Sequence, residues 1–199
     1  MEREYVKDTY EIIANHFSST RNNVWGKVRQ YMDSLPKNSY IVDVGCGNGK
    51  NMYRKDCLYQ GIDFCLNFTK ICNERKKDVF LANNLNIPIK DSTFDYCISV
   101  AVIHHLSTQE KRIQAIDELV RIVKPEGTIF ISVWALEQPD NSRRKFTQKE
   151  NMVEWNDHGK KYLRYYHVFS HGELESLAKK YNIIQNYYEK GNWIIIIKK

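Results

Sequence analysis

Val6, Tyr10, Ile13 and Phe17 recur at helical spacing, which predicts an amphipathic opening helix. A second helix is predicted over Val24 to Leu35, stopped by Pro36. The texture then changes to short β-branched runs. Tyr40 to Val44, Tyr59 to Asp63, Val79 to Ala82, Phe94 to Val100 and Thr128 to Trp134 read as strands. Leu66 to Arg75 is helical in pattern. Ser107-Thr108-Gln109-Glu110 looks like a capping box, opening a stripe through Ile113, Ile116, Leu119, Val120 and Val123 that Pro125 and Gly127 end. After a polar, basic stretch from Gln138 to Lys161 come a helix near Gly172 to Lys180 and two last strands. These are Ile183 to Tyr188 and Trp193 to Ile197, joined across Lys190-Gly191-Asn192. Strands alternating with helices imply an α/β fold: a doubly wound, mostly parallel seven-stranded sheet with an antiparallel C-terminal hairpin strand. Ligands on such a sheet sit beyond the carboxyl ends of the strands, where the strand order reverses.

The 199 residues suit one domain, and 42% hydrophobic residues suffice for a core without disulfides or metals. Within residues 1–199 the pattern suggests an N-terminal helical cap (1–37), a core (38–135), a basic and aromatic segment (136–169) and a C-terminal helix with hairpin (170–199). No run of about 18 apolar residues occurs and Met1-Glu2-Arg3-Glu4 is charged, so neither a membrane span nor a secretory signal is expected. Five cysteines without a C-x-x-C pair read as reduced thiols, giving a cytoplasmic setting with the nucleus as the alternative. A net charge of +6 is compatible with a polyanionic partner and does not demand one.

The chemistry begins at Asp43-Val44-Gly45-Cys46-Gly47-Asn48-Gly49-Lys50, directly after the first strand. Glycines there let the backbone turn sharply and let a ligand lie against it. Asp63 ends the second strand about 20 residues on, where a carboxylate accepts ribose hydroxyls. The phosphate-cradling P-loop pattern fails, because Asn51 follows Lys50 and Val44 stands at the first glycine. The dinucleotide pattern fails too, since its third glycine arrives one residue early. The G-x-G-x-G form resembles instead the Rossmann-like class I methyltransferases, which implies S-adenosylmethionine as cofactor. Asp43, Gly45, Cys46, Gly47, Asn48, Gly49 and Asp63 are then candidates to line its site, with Val100 at the end of the fourth strand. Asn83 and Asn84 stand where such enzymes often carry an Asp for the adenine amino group. An Asn oxygen can accept that bond, and it can equally shape a turn.

Val100-Ala101-Val102-Ile103-His104-His105 follows the fourth strand. The Asn/Asp-Pro-Pro-aromatic and Pro-Cys signatures of amide-nitrogen and cytosine-carbon methylation are absent there. Several blocks together resemble the eukaryotic tRNA wobble-uridine carboxymethyl methyltransferases: Glu4-Tyr5-Val6, His16 to Arg21, Asp43 to Lys50, Ile98 to His105, Val133-Trp134-Ala135-Leu136-Glu137-Gln138, Arg164-Tyr165-Tyr166-His167, Gly172 to Glu175, and Asn192-Trp193. The chain departs from that family at Asn83, where Asp is usual, and in a shortened basic insertion before Arg164.

The resemblance implies esterification of the carboxylate of 5-carboxymethyluridine in tRNA. Such an acid has an ordinary pKa near ~4, so at neutral pH it is already the nucleophile and needs positioning more than a base. Arg21, His104 and His105 are candidates to meet it, with Arg164; Arg21 alternatively holds the carboxylate of the cofactor's methionine. Arg143, Arg144, Lys145, Lys161 and Arg164, with Tyr165, Tyr166 and His167, are candidates to contact a tRNA anticodon loop. His167 and His171 are not expected to hold a metal, because a helix end near Ser170 separates them. The resemblance also implies a small zinc-binding activator protein. The apolar outer strand Val79 to Ala82, with no proline or lysine inside, is the candidate docking edge. Another small-molecule or protein O- or N-methyltransferase, or a non-catalytic RNA-binding member of the fold, remains open from sequence.

Overall fold

The computed structural model describes residues 1–199. The strands are β1 (Tyr40–Val44), β2 (Leu58–Asp63), β3 (Val79–Leu81), β4 (Phe94–Val100), β5 (Val123–Trp134), β6 (Glu150–Asp157), β7 (Lys160–His167), β8 (Asn182–Glu189) and β9 (Asn192–Lys198). Seven of them form one sheet in the order β3-β2-β1-β4-β5-β9-β8. β1 to β5 run parallel; β9 pairs antiparallel with β5, and β8 with β9. The order reverses between β1 and β4, so the crevice for a ligand opens above that pair. Val42, Val44, Cys97, Ile129, Ile131 and Val133 share one buried cluster, whereas Ile41, Ile98 and Phe130 share another with Val28 and Met32. This alternation is the two-faced burial that a parallel sheet requires. Each fully buried aliphatic side chain contributes roughly 1.5–3 kcal/mol.

The helices are α1 (Thr9–Thr20), preceded by a wider π-helical turn over Arg3–Asp8, α2 (Gly26–Ser34), α3 (Leu66–Glu74), α4 (Gln109–Ile122) and a short α5 (Glu173–Leu177). Two acids pin the N-terminal helix across the carboxyl ends of the strands. Glu11 accepts from the Leu66 and Asn67 backbone N–H groups (2.6 and 2.9 Å), supplying α3 with the first-turn partners its own N-cap lacks. Glu2 accepts from the Ser107 N–H and hydroxyl (2.7 and 2.6 Å) and pairs with Lys111. Because Glu2 takes Ser107, the cap of α4 moves one residue from the expected box: Thr108 accepts from Lys111 N–H.

β6 and β7 were not expected in the basic stretch. They form a separate two-stranded sheet around a two-residue turn, with His158 at φ 49° and Gly159 at φ 93°. Trp155 and Tyr165 on this hairpin pack with Tyr10, Ile13 and Phe68, so it closes over α1. No helix is long and apolar enough to cross a membrane.

Candidate active site

The glycine loop is held from both sides. Gly45 and Cys46 N–H both donate to the Ile62 carbonyl (2.7 and 3.0 Å), tying the loop to β2. Gly45 sits at φ +77°, and a Cβ there would come within 2.3 Å of Val102. Gly47, at φ +54°, has nothing within 4 Å of where a side chain would project. Its backbone therefore faces open space, as close approach of a ligand requires. Asn48 is buried, and its amide donates to the Arg21 carbonyl (3.0 Å) and the Ser18 carbonyl (3.3 Å). It anchors the end of α1 and the Arg21 backbone over the loop rather than presenting its side chain to a ligand.

Two carboxylates face the loop. Asp63 accepts from Gly47 N–H (2.8 Å) and Cys65 N–H (2.9 Å), one bond to each oxygen, which leaves each oxygen a lone pair. Burial pushes its pKa up to about 6, against those backbone bonds. Asp43 is fully buried, and burial pushes it up to about 7, opposed by an Asn51 hydrogen bond (3.3 Å). Its second oxygen, Oδ1, has no partner at all. A buried unmet acceptor is costly, and a cationic or N–H-bearing ligand would relieve it. The open backbone at Gly47, the lone pairs of Asp63 and the orphaned Asp43 oxygen fit an adenosyl ribose beside an ammonium group.

Asp43 also fixes a pH dependence. Its folded pKa exceeds the ~4 of an unfolded chain. The folded state therefore holds the extra proton from roughly pH 4 to 7, and stability falls as pH rises through that window. Asp43→Asn is expected to raise the melting temperature by several degrees at pH 8 and hardly at pH 4, while weakening cofactor binding. Thermal melts across that range check this; equal shifts at both pH values would show that Asp43 ionises without cost.

Beyond β4, Ala101 adopts φ 61°, an unusual conformation for a residue with a Cβ, and turns the chain into a short 3-10 turn over Ile103–His105. Val100 is half-buried against the α2 face. The histidines correct the expectation that they meet an acceptor directly. His105 Nδ1 lies 2.8 Å from the Tyr165 carbonyl, which can only accept, so the proton is on Nδ1. Nε2 then accepts from the Tyr10 hydroxyl (3.1 Å). Tyr10 lies 3.1 Å from Tyr166, whose oxygen receives the Arg164 guanidinium at 2.7 Å. Both His105 nitrogens are thus spent, and burial holds its pKa down at about 3. His104, 1% exposed, accepts from Trp134 N–H at 3.2 Å; burial and the neighbouring His105, Arg164 and Arg144 hold it well below its ordinary value. Both rings are neutral supports.

The cations around them are unpaired. Arg164 is buried, bonded only to the Tyr10 and Tyr166 hydroxyls, with its Nε unpartnered. Arg144 lies 4.0 Å over Trp134, and Arg21 packs on Phe17 and Trp155 at 5.5 and 5.3 Å. Partial desolvation first, and then Arg164 and Arg21, disfavour the charge on Arg144, yet none of the three arginines has a carboxylate partner. A buried cation such as Arg164 without a counter-ion is expensive, and with half-buried Arg21 and exposed Arg144 beside it the nest is complementary to an anion.

The surface expectations divide. Arg143, Arg144, Lys145 and Lys161 are exposed, although Lys161 pairs with Glu154. Arg164, Tyr165, Tyr166 and His167 are buried and cannot reach an RNA backbone. Tyr166 stacks on Trp134 (4.2 Å, 5°), and His167 is clamped between Glu150 and Glu173. Their β7 backbone, rather than a helix, puts them against α1 and the sheet. Asn83 is exposed and accepts from Leu85 N–H (3.0 Å), shaping its own turn; Asn84 is half-buried beside it. Tyr10, Asn51 and Trp134 were missed as site residues. Tyr10 lay on the apolar stripe of α1 and read as core, which it also is. His16, Asp157 and His158 also meet at the hairpin tip, their donor atoms within 4.8 Å, which chain spacing did not suggest.

Residues 42–131 match the family described as a methyltransferase domain. The chain is 36% identical over 224 residues to the tRNA (carboxymethyluridine(34)-5-O)-methyltransferase of Schizosaccharomyces pombe, covering 100% of this chain and 97% of that one. It is 34% identical over 259 residues to the tRNA (carboxymethyluridine(34)-5-O)-methyltransferase alkbh8 of Xenopus tropicalis, covering all of this chain and 41% of that protein. Against the frog, macaque, thale-cress and mouse relatives the chain spans 35–44% of their length. Among solved structures, a complex between the Haloferax volcanii Trm112 methyltransferase activator and its putative methyltransferase aligns with TM-score 0.72 and 14% identity. That alignment covers 97% of this chain and 96% of the other, a likeness of fold.

Proposed function

We propose that this chain, which belongs to the tRNA (carboxymethyluridine(34)-5-O)-methyltransferase family, methylates the carboxylate of 5-carboxymethyluridine at the tRNA wobble position, with S-adenosylmethionine as donor. The observation that carries the substrate reading is the acid-free nest of Arg21, Arg144 and Arg164 beyond β4 and β5, with Arg164 buried. S-adenosylmethionine, when bound, supplies an electrophilic methyl group. Asp63 would hold its ribose and Asp43 its ammonium, with the Gly47 backbone alongside. The arginines would desolvate and orient the acceptor carboxylate, which is ionised without help at neutral pH. No general base is needed, which suits a site whose two histidines are neutral and hydrogen-bonded away. His105 supports Arg164 through Tyr10 and Tyr166, and His104 accepts from the Trp134 backbone N–H.

Exposed Arg143 and Lys145 offer phosphate contacts for the anticodon loop, whereas Lys161 on the hairpin is paired with Glu154. Base contact by Tyr165 and Tyr166 is not part of this reading, since both are buried. Methyl transfer to bulk tRNA from cells lacking the enzyme, followed by nucleoside analysis, tests the function. Transfer to a free carboxylic acid and none to that tRNA would select a metabolite enzyme instead.

A small zinc-binding activator would pair with β3, one of the two edge strands of the sheet, where Leu81 is 50% exposed on an unpaired edge. Leu81→Lys is expected to keep the isolated chain soluble and to abolish co-purification with the activator. Undiminished co-purification would place the partner elsewhere.

A further inference from the structure

A cavity of about 400 Å³ opens on the α2 face of the sheet, between the start of α2, the end of β5 and the β8–β9 turn. Two polar atoms of its lining residues, Ser132 Oγ and Asn192 Oδ1, are shielded from solvent and bonded to nothing. The Asn192 amide nitrogen donates to the Glu189 and Lys190 carbonyls (3.2 Å each). That fixes which end is oxygen, so the orphan is an acceptor awaiting a donor. The Ser132 hydroxyl can donate. Folded proteins leave few such groups unmet. These two lie on the same face of paired strands β5 and β9, where Ser132 is opposite Ile194 and Asn192 opposite Trp134, and they suit a ligand edge with an N–H beside a carbonyl.

The other walls are flat. Tyr166, Trp134 and the Arg144 guanidinium form a stack with steps of 4.2 and 4.0 Å, and Arg144 lines the cavity together with Trp25. Unstacked bases lie on aromatic rings and guanidinium planes in this way.

We infer that this cavity receives the uracil ring of the acceptor nucleotide, with its N3–H donated to Asn192 Oδ1 and an adjacent carbonyl accepting from Ser132. The inference rests on the function proposed above and names the residues that read the base. With the carbonyl at position 2 as the one that accepts from Ser132, position 5 lies directly across the ring from it. A carboxymethyl arm there leaves the cavity toward Arg144, the residue common to this cavity and the anion nest. Cytosine has an acceptor at N3, which would face the Asn192 oxygen unpaired.

The test follows the tryptophan indole N–H signals of the intact 15N-labelled chain, saturated with S-adenosylhomocysteine. It is titrated with uridine, cytidine and N3-methyluridine 5′-monophosphates. The expected result is saturable shifts of Trp25 and Trp134 with uridine monophosphate, and at least ~10-fold weaker binding of the other two. Ser132→Ala, which removes an orphan and should melt no lower than the parent, is expected to weaken uridine monophosphate several-fold. Asn192→Leu should erase the preference over cytidine. Equal binding of all three, no binding, or a preference that survives both substitutions would overturn the inference. The readout needs no methyl transfer. A chain that prefers uridine monophosphate but never methylates tRNA keeps the base assignment and loses the proposed function; methylation without any base preference does the reverse.

Discussion

Asp63→Ala is expected to lower affinity for S-adenosylhomocysteine at least ~100-fold, about 3 kcal/mol, because two hydrogen bonds to a charged acceptor disappear together. The native carboxylate is already organised: Gly47 and Cys65 N–H hold it at 2.8 and 2.9 Å, so little entropy is lost when a sugar arrives. The same residue gives binding a pH limb. Burial raises Asp63 to about 6, above the unfolded carboxylate value, so the acceptor is progressively protonated as pH falls through 6 and affinity for the cofactor product drops. Stability moves the other way. The raised carboxylate favours the folded state fully only below about pH 4, and that contribution is lost as pH rises toward 6. Calorimetric titrations of parent, Asp63→Asn and Asp63→Ala between pH 5 and 8 separate these effects. A natively folded alanine variant that binds as tightly as the parent would remove the second-strand acid from the site.

Arg164→Met is expected to cost methyl transfer to tRNA roughly 100-fold or more while leaving S-adenosylhomocysteine affinity within about twofold. Removing one partner of a buried charge pair typically costs about 2–5 kcal/mol. Here the pair exists only with substrate present, so the loss falls on turnover. The free fold gains from the same change, because a cation with an unpartnered Nε and no carboxylate is replaced by an apolar chain of similar length. Tyr10 and Tyr166 can still bond one another at 3.1 Å. Equal or higher melting temperature with lost activity is the signature. A variant that melts lower and keeps its turnover would mean that Arg164 is only a strut for β7.

The glycine loop and Asp63 were legible because local backbone demands drive them: Gly45 must turn at positive φ against Val102, and no other residue type does so cheaply. The parallel strands were legible for a similar reason, since two-sided burial writes continuous apolar runs. The β6–β7 hairpin was hidden. Its outer face carries lysines and acids and its inner face only a few aromatics, so alternation blurred into a basic stretch whose His158-Gly159 turn was the one overlooked signal. His104 and His105 were visible as a pair, but whether they face a ligand or each other's supports depends on Tyr10 and Tyr165, far away in the chain.

Sequence alone determined the mostly parallel seven-stranded sheet with its closing hairpin and the glycine turn after β1, because these follow from residues close together along the chain and from strand periodicity. The strand order, and with it the switch point between β1 and β4, came only from the tertiary structure. Tertiary structure alone decided which cations are free. Charge in a list is only a sum, whereas Lys161 is neutralised by Glu154 and Arg164 by nothing because folding chose their neighbours. Coulomb attraction and desolvation act across a few ångströms of space, and no spacing along the chain measures that distance.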